Sequence, residues 1–312
     1  MQPFFVTSGN MTADRRYEFA QQYWTRGDLD AAADVMRQAV ELAPDFAAAW
    51  FALGEIQDAR GQREEAVAAF RKARDHDRED RHGAGLHLMR LGVDAMGAMP
   101  VAYVRTLFDQ YAPEFNRALL ETLNYRGPRV LRDAIREVLN GQAREEQFRR
   151  AIDLGCGTGL AARAFARSAA VIVGYDLSSG MIEQARQTGL YDRLEMADMV
   201  EGLRKEAAAS ADLIFSADSI VYVSDLAPLL AEVARVLTDD GLFACTLETH
   251  DGDGVILGQG LRYQHAASYL GEALQKAGVR QLHLAPASTR DESGVPVAGL
   301  VVVATQMRGA SC

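Results

Sequence analysis

The first eighty residues of the chain repeat at an interval of 34 residues, and this restricts the fold of that part more than any other sequence feature. Small residues at matched positions let two antiparallel helices approach, and large ones fill the groove between them. The matched pairs are Phe19 with Leu53, Ala20 with Gly54, Gly27 with Gly61, Ala32 with Ala66, Met36 with Phe70, and Ala39 with Ala73. The pattern predicts stacked helical hairpins, each burying a face on its neighbour.

The spacing resembles the tetratricopeptide repeat (TPR). Trp50-x-x-Leu53-Gly54, followed by Ala66, Phe70 and Ala73, is the closer copy, whereas residues 13–46 match more loosely and supply Pro44. The second copy departs from the family at Arg78, where proline is usual. The resemblance implies repeats at about 13–46 and 47–80, and two repeats seldom suffice alone. We therefore expect residues 81–112 to form a degenerate helical cap, which completes an N-terminal domain over residues 1–112.

Beyond Pro113 the period changes from helical repeats to short apolar strands that alternate with helices. Strands are predicted at 150–154, 171–176, 193–197, 212–216, 242–247, 280–287 and 297–305. Helices are predicted at about 160–168, 180–187, 226–237 and 266–277, after further helices within 113–147. This alternation indicates an α/β domain over 113–312, with a mostly parallel, Rossmann-like sheet covered by helices on both faces.

The loop Gly155-Cys156-Gly157-Thr158-Gly159 leaves the first of these strands and opens a helix. Glycines permit positive φ and a close approach to a ligand, and the helix start offers free N–H groups. The nicotinamide-dinucleotide fingerprint would need a third glycine at position 160, which is leucine. Asp176 ends the second strand, where a carboxylate can accept from ribose hydroxyls, and Asp198 follows the third.

Composition excludes several classes of protein. The 312 residues carry a net charge of −10, which disfavours a nucleic-acid partner because phosphate binding needs basic residues. Cys156, Cys245 and Cys312 lie far apart without the spacing of a zinc site, so no metal is expected. Residues 1–6 lack the features of a signal peptide, and no apolar run is long enough to cross a bilayer. We therefore expect a cytoplasmic protein.

Three ordered motifs identify the second half by resemblance. Residues 153–159 resemble motif I of the class I S-adenosylmethionine (SAM) methyltransferases, residues 174–182 their second motif, and Ala197-Asp198-Met199 their third. The resemblance covers about 108–306 and implies a seven-stranded sheet whose last strand is antiparallel. The whole chain is similar to bacterial TPR-containing methyltransferases, in which Phe108-Asp109-x-Tyr111-Ala112 precedes the core and Arg262-Tyr263-x-His265 opens a late helix.

Site residues follow from this resemblance, position by position. Gly155, Gly157 and Gly159 would cradle the methionine part of SAM, Asp176 would hold the ribose, and Asp198 the adenine amine. Leu177 and Met199 would wall the adenine, Ser216 would offer its carbonyl to the ammonium group, and Tyr111 would close over the methionine end. The matched motifs add Asp153, Cys156 and Met181 to this cofactor site. The alternatives are strand-end capping or solvation for Asp176 and Asp198, helix packing for Tyr111, and a small turn residue for Cys156.

Methyl transfer needs alignment of the acceptor more than acid–base chemistry, and a base helps only where the acceptor carries a proton of high pKa. Candidates near the strand ends are Asp218, Tyr222, His250 and His265, of which Tyr222 and His265 are taken as catalytic. The alternative for His265 is a structural hydrogen bond or a helix start, and a structural role is also the alternative for Tyr222 and His250. The glycine-rich stretch 250–265 is predicted to act as a lid, and the other histidines, His76, His82, His87 and His283, are expected on surfaces.

The predicted function is transfer of a methyl group from SAM, with S-adenosylhomocysteine (SAH) as product, to a small-molecule or protein acceptor (EC 2.1.1.-). A protein acceptor would be docked by the TPR helices. Ser216-Ala217-Asp218-Ser219 replaces the Pro-Pro motif of methyltransferases acting on nucleobase or glutamine amino groups, which disfavours those acceptors. A SAM-fold scaffold without activity, and an oxidoreductase opposed by Leu160, remain as alternatives. Proteolysis is expected between the domains or within the polar stretch 77–85.

Overall fold

The computed structural model describes residues 7–307, and the chain falls into two compact units. One unit runs up to Leu107 and includes Gln259–Leu261; the other spans Phe108–Gly258 and continues from Arg262. The division falls within a helix, a few residues before the predicted limit at 112. The limits of the two domains stay a prediction. Residues 1–6 and Cys312, which entered the expectations about a signal peptide and a zinc site, lie outside the described residues.

The first unit contains two helical hairpins at the predicted repeat positions. They are α1 (Met11–Thr25) with α2 (Leu29–Leu42), and α3 (Ala47–Ala59) with α4 (Arg63–His76); α5 (Ala84–Arg90) and α6 (Val101–Tyr111) follow. Gly27 and Gly61 have φ of +81° and +73° at the hairpin turns, a conformation that favours glycine. At Gly54 a Cβ atom would lie 2.6 Å from the Phe70 ring, so the small-residue position is enforced by helix contact.

Two side chains in this unit differ from expectation. Phe19, matched to buried Leu53, is 51% exposed on α1, because α1 is the first described helix of the stack. His87 is buried, not on a surface as predicted: its ring stacks on Phe70 with centroids 4.5 Å apart, because α5 packs against the second hairpin. Burial lowers the pKa of His87 to about 4, and the Arg90 charge adds to this effect.

The second unit is built on a mixed sheet. Its strands are β1 (Ala151–Leu154), β2 (Ile172–Asp176), β3 (Arg193–Met196), β4 (Ala211–Ser216), β5 (Leu237–Glu248), β6 (Val255–Leu257), β7 (Tyr263–His265), β8 (Val279–Pro286), the short pair β9 (Asp291–Glu292) and β10 (Val295–Pro296), and β11 (Gly299–Gln306). Seven strands follow the order β3-β2-β1-β4-β5-β11-β8. Among these seven, β11 runs antiparallel to β5 and β8 on its two sides, whereas the other neighbouring pairs are parallel, which confirms the predicted sheet.

Helices cover both faces of this sheet. They are α7 (Phe115–Arg117) with a π-helical turn (Ala118–Thr122), α8 (Gly127–Gly141), α9 (Leu160–Phe165), α10 (Ser179–Gln187), α11 (Met199–Arg204), a 3₁₀ turn (Ile220–Tyr222), α12 (Ala227–Val236) and α13 (Ala267–Lys276). Ile152 of β1 shares one core with Leu229 and Leu270 of α12 and α13. Phe215 of β4 shares the other core with Leu131 of α8. Alternate strand residues therefore face opposite helix layers.

The glycine-rich stretch 250–265 is partly regular, and its role as a lid stays a prediction. β6 and β7 form an antiparallel hairpin, and Gln264 of β7 pairs with Glu248 of β5. The Arg262-Tyr263-x-His265 motif lies at and on β7, and the helix begins only at Ala267. Backbone pairing with the sheet overrides the flexibility that the glycines suggest. Among residues 7–307, none of the helices combines the length and hydropathy needed to cross a bilayer.

Candidate active site

The strand order reverses direction between β1 and β4. The chain runs outward from β1 to β2 and β3, then returns to place β4 on the other side of β1. In such sheets ligands bind beyond the carboxyl ends of the strands at this switch point. The glycine loop after β1 and the turn after β4 both lie there, so this edge is the candidate site.

The glycine loop adopts a conformation that requires its glycines. Gly155, Gly157 and Gly159 have φ of +68°, +53° and +87°. At Gly155 a Cβ atom would lie 2.4 Å from the Ser219 side chain, so the turn after β4 approaches the loop as closely as glycine allows. Ser219 Oγ also donates to the Gly155 carbonyl at 2.9 Å. The glycine loop is thus joined to the turn after β4 by a close contact and a hydrogen bond.

Asp176, at the end of β2, holds the middle of this loop. Its Oδ2 accepts from the Gly157 N–H and its Oδ1 from the Ser178 N–H, both at 2.8 Å. Burial raises the pKa of Asp176 to about 6 and the Asp109 charge adds to the rise, while the backbone donors oppose it. Each carboxylate oxygen keeps acceptor capacity, which suits a ligand that brings hydroxyl donors.

Asp198 caps the N-terminus of α11. Its Oδ1 accepts from the N–H groups of Val200 at 2.9 Å and Glu201 at 3.4 Å at the start of α11. Both bonds use one oxygen. Met199 follows, and its Cε lies 3.0 Å from the Cβ position at Gly155, while Leu177 is half-buried beside Asp176. The structure therefore brings Met199 to the glycine loop.

Asp153 is fully buried at the end of β1, with Oδ2 accepting from the Tyr191 hydroxyl at 2.7 Å. Its Oδ1 has no donor among the described residues. Burial raises the pKa of Asp153 to about 7, and the neighbouring Asp176 charge adds to the rise. Cys156 in the glycine loop and Met181 on α10 are both buried. The sequence analysis missed Tyr191, because no motif or spacing marks a hydroxyl that approaches a strand from a loop.

An aromatic segment (residues 108–116) connects the end of α6 with α7. Tyr111 and Phe108 both pack edge-to-face on Phe115, with centroids 5.4 and 6.0 Å apart. Phe108 also meets the Tyr222 ring edge-to-face at 5.3 Å. The structure thus brings Tyr111 and Tyr222 into one aromatic cluster, within the same compact unit as the sheet.

Polar contacts attach this aromatic segment to the site. Asp109 accepts from the Ser178 hydroxyl at 2.6 Å, the Gly180 N–H at 3.0 Å and the Ser179 hydroxyl at 3.4 Å, at the start of α10. The Thr158 hydroxyl of the glycine loop donates to Asn116 Oδ1 at 2.5 Å. Sequence reasoning did not select Asp109 as a site residue, although its motif was recognised.

The turn after β4 carries the remaining candidates. Ser216 is buried, and its Oγ donates to the Leu154 carbonyl at 2.9 Å. Arg262 Nε approaches the Tyr222 hydroxyl at 3.4 Å, so Tyr222 meets a cation at its polar end and Phe108 at its ring. Asp218, between Ser216 and Tyr222, has a positive φ of 57°.

The two candidate histidines, His250 and His265, follow β5 in the chain. His265 is fully buried, and its Nε2 lies 2.9 Å from the carbonyl of Val223, the residue after Tyr222. Burial lowers the pKa of His265 to about 4. His250 Nδ1 accepts from the Gly252 N–H at 3.1 Å. Of the two residues taken as catalytic, the structure places Tyr222 in the aromatic cluster and His265 in the interior.

Comparisons with known proteins agree with this geometry. A methyltransferase-domain family matches residues 152–245, and a tetratricopeptide-repeat family matches residues 23–88. Human methyltransferase-like protein 27 is 31% identical over 204 residues, which cover 63% of this chain and 76% of that protein. A ubiquinone biosynthesis O-methyltransferase of Paracidovorax citrulli is 32% identical over 30% of this chain and 42% of its own length.

A solved structure shares the fold. The 1,6-didemethyltoxoflavin-N1-methyltransferase of Burkholderia thailandensis, with bound S-adenosylhomocysteine, is similar at a TM-score of 0.51 and 18% identity. The match covers 69% of this chain and 93% of that one. This likeness shows the fold, while the methyltransferase-domain match and the human relative show the SAM-dependent family, in which SAM is the methyl donor and SAH the product.

Proposed function

This chain belongs to the class I SAM-dependent methyltransferases and carries an N-terminal TPR region, and from that premise we propose that it methylates a small-molecule acceptor. The observation that carries the proposal is the aromatic cluster of Phe108, Tyr111, Phe115 and Tyr222, within the unit that holds the glycine loop. Aromatic walls beside buried polar groups favour a small organic acceptor.

The cofactor site follows the predicted residues. We propose that Gly155, Cys156, Gly157, Gly159 and the Ser216 carbonyl surround the methionine part, with Asp153 beneath it and Tyr111 closing over it. Asp176 holds the ribose and Asp198 the adenine amine, using its second oxygen, between Leu177 and Met199. Met181, which is fully buried on α10, completes the predicted set. Two acidic residues with spare acceptor capacity suit the donors of SAM.

Bound SAM supplies an electrophilic methyl group on a sulfonium. The protein's residues then have to align the acceptor in line with that group and exclude water. Tyr222 is placed for alignment, since its ring is fixed by Phe108 and its hydroxyl by Arg262. His265 stays a proposal as a positioning residue for Tyr222 through Val223.

Binding and transfer assays test this function. Calorimetry should show SAM and SAH binding in the micromolar range, with no heat from NADH. Methyl-labelled SAM is then offered a panel of phenols and amines, and separately a cell protein extract. Label in a small-molecule product supports the proposal, and the O-methyltransferase relative favours an oxygen acceptor.

Label in protein alone would mean that the acceptor is a protein, the alternative class. Heat with NADH and none with SAM or SAH would contradict the whole assignment. The Asp225→Asn variant is a control for loss of an acidic side chain in the turn after Tyr222. Asp225 is exposed, and within residues 7–307 its side chain accepts only from the Ala227 N–H.

A further inference from the structure

Carboxylates stand at the ends of three neighbouring strands. Asp153 lies in β1, Asp218 follows β4, and Glu248 ends β5, in the sheet order β1-β4-β5. Along β5, Leu242 and Ala244 face the α8 core, so Thr246 and Glu248 point to that side as well. Asp153 points the same way, since Ile152 and Leu154 belong to the opposite core. These acids therefore share one face at the candidate site.

Glu248 is already neutralised. Its Oε1 is bound by Arg290 and lies 3.7 Å from Arg262 Nη1, and its Oε2 accepts from Gln264 at 3.4 Å. Both arginines also contact Glu292, at 3.0 and 2.7 Å. The charges of Arg290 and Arg262 are thus balanced by Glu248 and Glu292. Glu248 therefore has a structural role.

Asp218 is different, because among the described residues only its Oδ1 has a hydrogen-bond donor in good geometry. Oδ1 accepts from the Thr246 hydroxyl at 3.0 Å, and the same hydroxyl oxygen accepts from the Asp218 N–H at 2.9 Å. Oδ2 is buried and accepts no hydrogen bond among the described residues. The nearest cation, Arg290 Nη1, is 3.9 Å away, beyond hydrogen-bond distance. A buried acceptor without a donor costs free energy, so it calls for a ligand that donates.

The backbone of Asp218 supports the same conclusion. Its φ of +57° is uncommon for a residue other than glycine, and such strain collects at functional sites. Burial raises the pKa of this carboxyl and the Glu248 charge adds to the rise, while the nearby Thr289 and Thr246 hydroxyls and the Arg290 charge oppose it. A carboxylate of raised pKa is a stronger base than an exposed one.

Position completes the case. The next residue, Ser219, bonds the carbonyl of Gly155 in the glycine loop, and the same turn carries Tyr222 against the aromatic segment. Asp218 therefore lies between the proposed cofactor loop and the proposed acceptor wall. A side chain that contacts both SAM and the methyl acceptor has to lie between this loop and this wall.

We propose that Asp218 Oδ2 binds the nucleophilic hydroxyl or amine of the acceptor and takes up its proton. This inference rests on the proposed methyltransferase function. The acceptor's lone pair forms the new bond to the methyl carbon while the carbon–sulfur bond breaks, its electron pair passing to sulfur. The proton moves to Asp218 Oδ2. An acceptor that presents a carboxylate or phosphate here would instead meet uncompensated negative charge.

Sinefungin tests this without knowledge of the acceptor. It is a SAM analogue with a protonated amine where SAM carries the methyl sulfonium. Its amine therefore donates hydrogen bonds to protein groups that face the transferred methyl. The intact protein should bind sinefungin about 10-fold or more tightly than SAH in calorimetry, as expected for a charge-assisted hydrogen bond. Asp218→Asn should reduce that ratio to within about twofold while SAH affinity changes little.

Folding controls keep the result interpretable. Asn tolerates positive φ and can still accept from Thr246, and Asp218→Gly removes the carboxylate without strain, so both variants should melt near the parent temperature. Asp225→Asn should retain the full sinefungin preference. If one Asp218 variant fails to fold, the other gives the ratio.

The outcomes are distinct. Equal affinities for the two ligands in the parent protein would overturn the Asp218 role and leave the methyltransferase function standing. A preference that survives both Asp218 substitutions but disappears in Asp153→Asn would assign the contact to Asp153 instead. No binding of either ligand would contradict the proposed function itself.

Discussion

At the residue scale, Asp176 serves both the loop and the proposed ligand. Its two backbone bonds fix Gly157 and Ser178, and its remaining lone pairs are free for ribose hydroxyls. Loss of the carboxylate should therefore weaken binding in two ways, through the missing charge-assisted bonds and through a loosened loop. We expect Asp176→Ala to reduce SAH affinity by about 1–3 kcal/mol in calorimetry. An unchanged affinity would mean that the ribose is held elsewhere.

The pH dependence of binding gives a second prediction at this residue. The pKa of Asp176 is raised to about 6, so its ionised, accepting form is complete above about pH 7 and is lost as pH falls through 6. SAH affinity should fall over that interval. The neighbouring charges are Asp109 on α6 and Asp153 on β1, and Asp153 titrates near 7. Asp176→Asn should remove the part of the decline near pH 6, which isolates Asp176 from Asp153.

At the element scale, the aromatic segment (residues 108–116) is attached to α10 by one side chain. Asp109 accepts three hydrogen bonds at the start of that helix. The approach is close, since a Cβ atom at Gly180 would lie 3.0 Å from the Ala112 Cβ. A carboxylate at a helix N-terminus is also favoured by the helix dipole. The attachment holds Phe108 and Tyr111 against the glycine-loop side of the sheet.

Neutralising this attachment should release the segment. Asp109→Asn loses the charge-assisted bonds, so we expect SAH to dissociate about 3- to 10-fold faster in stopped-flow displacement. Glu114→Gln is the matched control, because Glu114 lies in the same segment but is exposed, and its one ion pair within residues 7–307 is with Arg117 at the surface. Equal dissociation rates for both variants would show that the segment does not limit exit of the ligand.

At the scale of the whole molecule, the limits of the two domains can be tested by limited proteolysis. The sequence analysis expected cleavage between the domains or within 77–85. In the structure that stretch is tied down, since Asp80 accepts from the Ala84 and Gly85 N–H groups and Asp77 from the Arg81 N–H. The segment after α5 has no regular structure, and Ala95, Met96 and Ala98 are exposed.

We therefore expect the first cut at about 95–98, with fragments on either side of it in mass spectrometry. The 77–85 stretch should survive at low protease concentration. Cleavage there first would mean that the aspartate caps open in solution, and equal cutting throughout the chain would contradict a division into compact units.

The sequence alone determined most of the architecture of this protein. The 34-residue interval located both helical hairpins, because helix contact at Gly54 and Phe70 tolerates only a small residue opposite a large one. The strand–glycine-loop–helix pattern and the acids after β2 and β3 located the candidate site and the cofactor family, because close approach and ribose recognition need those residue types in that order. These requirements concern residues close together in the chain, so the sequence pattern alone reveals them.

Tertiary structure alone decided the rest. The glycine-rich stretch 250–265 contains a hairpin because Gln264 pairs with Glu248 of β5, and His87 is buried because α5 packs onto Phe70. Tyr191 reaches Asp153 across 38 residues of sequence, and Thr246 holds Asp218 across 28. Burial and hydrogen-bond partners depend on groups far apart in the chain, so neither the unpaired oxygen of Asp218 nor the raised pKa of Asp153 can be read from local spacing.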